Sequence, residues 1–129
     1  MKIQKNLGIY MSHAEANLID LNDSKNCRSI VSQFTFDTKE EALQKGESSM
    51  HNKEQELTKA YYKSISDAIL NYNNVLLFGP TDAKKELYNL LKKDLHFKAI
   101  NIDVESADNM SKPEKEAYVK KHFELLVKH

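Results

Sequence analysis

The chain has 129 residues, 40% of them hydrophobic, with 19 Lys+Arg against 19 Asp+Glu, three Gly, two Pro and one Cys. These counts fit one domain over residues 1–129 and leave no room for a second of full size. The balance is also local, with nine basic and nine acidic groups in residues 1–64 and ten of each in residues 65–129, which argues against a polyelectrolyte surface for extended DNA or for a membrane. A lone Cys27 cannot close an intrachain disulfide. The apolar stretch behind the basic N-terminus is cut by Ser12, His13 and Glu15, so it does not read as a signal peptide, and no run nears the roughly 18–20 apolar residues of a bilayer span. The expectation is a folded, cytoplasmic domain.

The first third reads as strands, because β-branched and aromatic residues come in short runs separated by turn chemistry. Leu7 to Met11 is the first, and His13-Ala14-Glu15 turns the chain into Ala16 to Leu21, which pairs back as a hairpin. After the polar cluster Asn22 to Asn26, residues Arg28 to Phe36 make a third strand. Asp37 to His51 is polar and aperiodic, and reads as a loop with at most a short helix.

Leu57, Ala60, Tyr61, Ser64, Ile65, Ala68, Ile69 and Tyr72 then fall on one helical face. Asn52 with Gln55 three residues on resembles a capping box, so the spacing predicts a helix over 52–72. Val75-Leu76-Leu77-Phe78 before Gly79-Pro80 is an unbroken apolar run, as in a strand covered on both faces. Thr81 and Asp82 can each cap a helix whose buried face would be Ala83, Leu87, Leu90 and Leu91. Residues Ala99 to Val104 alternate as a strand. Ser111-Lys112-Pro113-Glu114 is a second capping box, before an apolar stripe at Val119, Phe123, Leu126 and Val127.

The order βββαβαβα predicts an α/β fold: a mixed five-stranded sheet with helices on both faces, in the topology of the ribonuclease H-like and translational machinery component folds. If the first strand points up, the third, fourth and fifth do too. Their upper ends then share an edge that gathers Ser12, His13, the 37–51 loop, Gly79, Pro80, Thr81 and Asp103, where ligands of open sheets tend to sit.

Few residues offer chemistry. The Phe78-Gly79-Pro80-Thr81-Asp82 turn could present backbone N–H groups to an anion, but it lacks a P-loop pattern and carries Asp82, so a turn with an N-cap is the better reading. The histidines, His13, His51, His96, His122 and His129, make no i, i+4 pair of the zinc-binding kind, and no metal or other cofactor is expected. Cys27 has no sequence-adjacent His and no Gly-x-Ser-x-Gly elbow exists, so no catalytic residue is assigned. A two-metal nuclease needs an acid on the first strand, and Leu7 to Ser12 has none. That leaves the polar segment Lys45, Gly46, Glu47, His51, Asn52 and Lys53 as a candidate contact surface, with a solvated connection as its plain alternative.

Several of these segments together resemble the middle domain of archaeal and eukaryotic peptide-chain release factors and pelota-type rescue factors. Leu7-Gly8-Ile9-Tyr10-Met11 with Ala16 to Asp20 looks like its opening hairpin, Leu57 to Leu70 like its long helix, and Val75 to Lys84 like its strand-glycine-helix segment. Short bacterial proteins with His51-Asn52-Lys53-Glu54-Gln55 and Leu76 to Thr81 in the same order are the nearest likeness. The resemblance implies an RNA-binding role on the ribosome or a tRNA. It also implies a departure: Lys45-Gly46-Glu47 stands where release factors hold Gly-Gly-Gln, and a carboxylate there opposes the oxyanion of ester hydrolysis. The expectation is therefore a non-catalytic binding module. Its rivals are a ligand binder or enzyme using Ser12, His13, Thr81 and Asp103, and an oligomeric stress or assembly protein.

Overall fold

The computed structural model describes residues 5–22, 25, 27–32 and 47–127, the side chains of 47–54 and 125–127 excepted. The apolar run Val75 to Phe78 forms the middle strand β4 (Asn74–Gly79), buried from Val75 onward. β4 lies parallel to β1 (Asn6–Met11) on one side and to β5 (Asn101–Ser106) on the other. β2 (Glu15–Ile19) runs back along β1 and β3 (Arg28–Val31) back along β2, giving the sheet order β3-β2-β1-β4-β5. The helices are α1 (Glu47–Ile69), α2 (Ala83–Lys92) and α3 (Lys112–Val127), with a 3-10 turn at Leu95–Phe97. Among the described residues the fold is the expected α/β arrangement with a mixed five-stranded sheet. No helix there is long and apolar enough to cross a membrane.

Strand alternation sorts the core into two layers. Leu7, Ile9, Met11, Ala16, Leu18, Val75 and Leu77 face α1 and α2, which supply Tyr61, Tyr62, Ile65, Ala68, Ile69, Ala83, Leu87 and Leu91. Ile19, Leu76 and Phe78 face α3, which supplies Val119 and Phe123. At the foot of the sheet the parallel register is pinned by an asparagine ladder, in which Asn101 Nδ2 donates to Asn74 Oδ1 at 3.0 Å and Asn74 Nδ2 to Asn6 Oδ1 at 2.8 Å.

Three details correct the sequence reading. α1 begins at Glu47, so Glu47 to His51 belong to a helix and not to the loop, and the Asn52–Gln55 pair lies inside it and is no capping box. Those first turns carry almost no apolar residues, so periodicity is blind to them. Leu90 is half exposed and leaves the buried stripe of α2 to Ala83, Leu87 and Leu91, at strict i, i+4, i+8 spacing. The predicted loop residues 37–46 and the end of the third predicted strand, 33–36, lie outside the described residues. The second capping box does form, with Glu114 N–H donating to Ser111 Oγ at 3.4 Å and Ser111 N–H to Glu114 Oε1 at 3.2 Å.

α3 reaches the sheet only because β1 has a glycine beneath it. A Cβ on Gly8 would sit 2.3 Å from Val119 Cγ2, closer than two carbons can approach. Gly8→Ala is expected to cost about 1–3 kcal/mol in urea unfolding, the usual range for overpacking. Val119→Ala in the same chain should recover part of the loss. Two strictly additive losses would show that the two residues do not compete for this space.

Candidate functional site

The upper ends of β1 and β4 meet backbone to backbone. Gly79 ends β4 at φ +148, a conformation side chains resist, and a Cβ there would lie 2.2 Å from Met11 O. Only glycine lets the two chains close at this point. Beyond it, Thr81 Oγ1 accepts from Ala83 N–H at 3.3 Å, and the buried Lys84 ammonium donates to Thr81 O, which ties the turn to the start of α2.

After β1, Ser12 N–H donates to Glu15 O at 2.9 Å and closes the hairpin, while Ser12 Oγ accepts from Ala14 and Glu15 N–H at 3.2 and 3.4 Å. The turn thus exposes His13. Its Nε2 lies 3.0 Å from Glu86 Oε2, in the first turn of α2, and the other oxygen of Glu86 accepts from Tyr62 OH at 2.8 Å. The neighbouring Tyr61 OH donates to Ser12 O at 2.8 Å. Hydrogen bonds from His13 and Tyr62 hold the Glu86 carboxyl below its ordinary range. Burial, with the nearby carboxylates, raises both tyrosine phenols.

The structure therefore brings Ser12, His13, Gly79, Pro80 and Thr81 to one edge, as expected, but not Asp103. Register sets Gly79 against Ser106 and Leu76 against Asp103. Asp103 thus lies three residues, or about 10 Å, below the strand ends. Its partner is His122 on α3, whose Nε2 is 3.0 Å from Asp103 Oδ2 and whose Nδ1 is 2.9 Å from Glu105 Oε2. The strand runs on to Ser106, past its clean alternation, and this moves Asp103 to mid-strand. Lys45 and Gly46 lie outside the described residues, and Glu47, His51, Asn52 and Lys53 occupy the first turns of α1.

Sequence reasoning missed Glu86, Tyr62 and Lys84. An acid in the first turn of a helix reads as a partner for the helix dipole, and this hid Glu86. The adjacent Tyr61-Tyr62 pair was the available signal, because neighbours on a helix cannot both face one hydrophobic layer without a polar partner for a phenol.

Chemically, the edge is a clasp: Glu86 has both oxygens engaged, by His13 and by Tyr62, and the Ser12 and Thr81 hydroxyls accept from backbone N–H groups of their own turns. No group of three or more His, Cys, Asp or Glu that could hold a metal ion occurs among those residues. A cavity of about 800 Å³ lies at the opposite end of the sheet, beside Asn6, Leu21 and Phe123. Its mixed lining, with Lys120 and Glu124 opposed, selects no ligand chemistry.

α1 goes past this edge. Its residue Tyr61 is already level with the Ser12 turn, and fourteen helical residues, Glu47 to Ala60, precede it. At 1.5 Å per residue that is about 20 Å of helix, and none of Gln55 to Ala60 is buried. No protein-family model matches the chain, and no curated protein matches it.

Glu86 is half exposed, so its contacts are worth about 1 kcal/mol or less. A carboxyl held below its ordinary 4.5 adds stability that is present above that pH and lost as the pH falls through the folded value. The native chain should therefore melt above Glu86→Gln at neutral pH, and the two melting curves should converge below pH 4.5. A gap unchanged by acid would assign the effect to packing.

Proposed function

We propose that the domain is a non-catalytic binding module of the cytoplasm whose partner is an RNA of the translation machinery, on the ribosome or in a tRNA. The observation that carries this reading is α1, which extends past the strand ends and bears the candidate contact residues Lys45, Gly46, Glu47, His51, Asn52 and Lys53 at or before its start. A projecting helix suits a macromolecular groove better than it suits a small ligand.

Two further considerations support the reading. The strand-end edge spends its polar groups on one another, so it serves as a brace for α1 and α2 more readily than as a reaction centre. The likeness of the Leu7 to Asp20, Leu57 to Leu70 and Val75 to Lys84 segments to the release factor middle domain points to the same class of partner. The zero net charge means that such a contact is local and involves few phosphates, because the field of the whole molecule does not attract RNA.

Sedimentation of ribosomes from cell lysate at low salt tests the reading. The native chain should appear in the ribosomal pellet, and a Lys45→Glu, Lys53→Glu variant should move to the supernatant with its fold intact by circular dichroism. If the native chain itself stays in the soluble fraction at low salt, the reading falls.

A further inference from the structure

β5 is an edge of the sheet, and its outer side is open. Asn101 N–H donates to Asn73 O at 2.9 Å and Ala107 N–H to Gly79 O at 3.0 Å, so in this parallel ladder the odd-numbered residues turn their backbone groups to β4. Ile102, Val104 and Ser106 point theirs away from the sheet. None of these outward N–H and C=O groups bonds to a described residue.

The flanking segments leave that side clear. Phe97 is buried in the core layer of α1 and α2, so the chain enters β5 from that face. Beyond the strand, Tyr10 OH lies 3.4 Å from both Asp108 O and Asn109 Oδ1, which carries the chain back over the α3 face. Edge strands are commonly blunted by shortness, Lys or Pro. β5 runs for six residues without Lys, Pro or Gly, whereas β3 at the other edge has four residues.

The side chains along this edge select its occupant. Asn101, Asp103 and Glu105 stand on the α3 face, in register with Asn74, Leu76 and Phe78. Asn101 donates to Asn74, and its own Oδ1 is the open acceptor at the end of the asparagine ladder. The side chains of Asp103 and Glu105 are 48% and 40% exposed and share His122. Two carboxylates on one imidazole keep the row negative in either form of the ring, and no Lys or Arg among the described residues pairs with them. On the other face Ile102 and Val104, partly buried against the core, offer an apolar flank. A second copy of the chain is a poor match. In antiparallel pairing its central registers set Asp103 against Asp103, Asp103 against Glu105 or Glu105 against Glu105, and like charges directly opposite destabilise a ladder.

We propose that β5 accepts an added strand from a partner protein, an extended segment that alternates Lys or Arg with β-branched residues. Main-chain hydrogen bonds supply the affinity, and the alternation supplies the specificity. The contact stands apart from the one assigned to α1.

Amide hydrogen exchange and chemical shifts of the ¹⁵N-labelled chain test it, with an N-acetylated, C-amidated peptide of about eight residues alternating lysine and valine as the probe. In the free chain the Ile102, Val104 and Ser106 amides should exchange fast, and those of Asp103 and Glu105 slowly. The peptide should protect the first three and shift them together. A fully N-methylated peptide keeps the charge without the donors, and a glutamate–valine peptide keeps the donors with the opposite charge; neither should bind. Val104→Pro removes an outward N–H and no bond to β4, and should weaken binding about tenfold. Glu105→Gln should weaken it about threefold. If Val104→Pro unfolds, the N-methylated peptide makes the same test on the native chain. Protection of the three outward amides in the free chain, whether or not it grows with chain concentration, would overturn the proposal. So would a lysine–valine peptide that leaves them unprotected, or equal binding of either control peptide.

Discussion

The parallel pairing of β1 with β4 is the constraint from which the other features of the molecule follow. Parallel neighbours need a long connection between them, and strands in the middle of such a sheet need cover on both faces. The chain meets the first need by running β2, β3 and α1 between the two strands. It meets the second with α1 and α2 on one side and α3 on the other. The same pairing puts the carboxyl ends of β1, β4 and β5 at one edge. There the glycine at 79 lets β4 touch Met11 O, and the turns that follow carry His13 and Glu86 toward each other.

On the α3 face the pairing lines up a row of side chains across the whole sheet: Ser29, Asn17, Tyr10, Phe78 and Glu105 are successive cross-strand partners. α3 answers this row position by position. Lys115 takes Asn17 and Tyr10, and Tyr118 stacks on Phe78 with centroids 4.9 Å apart and donates to Glu105 at 2.6 Å. His122 closes the series between Glu105 and Asp103. Burial, with the Glu105 contact second, raises the Tyr118 phenol to about 12. The outcome is a face of paired groups, with Glu105 and Asp103 sharing His122 at the β5 side and Lys115 held by Asn17 and Tyr10 toward the β3 side.

Local patterns made much of the fold legible. The apolar run of β4, the alternation of β5, the stripe of α1 and the Ser111–Glu114 box each announce themselves within a few residues. The failures were of two kinds. Where a helical segment carries almost no apolar residues, as at Glu47 to His51, no period shows and the helix passes for a loop. Where a role depends on register, local sequence is silent. Asp103 looked like a strand-end acid until the ladder placed it opposite Leu76. Glu86 became part of the edge only when α2 brought it to His13 and Tyr62.

The surroundings of the cations differ between the strand-end edge and the α3 face. At the strand-end edge the imidazole of His13 faces a carboxylate, and the buried Lys84 ammonium is turned back on Thr81 O, so little positive potential reaches solvent. On the α3 face, Lys115 is fixed by the uncharged Asn17 amide and the Tyr10 ring, with Lys112 and Glu116 in its neighbourhood. A charge held in advance by uncharged neighbours needs no reorganisation to meet an anion, whereas an ion pair would first have to open.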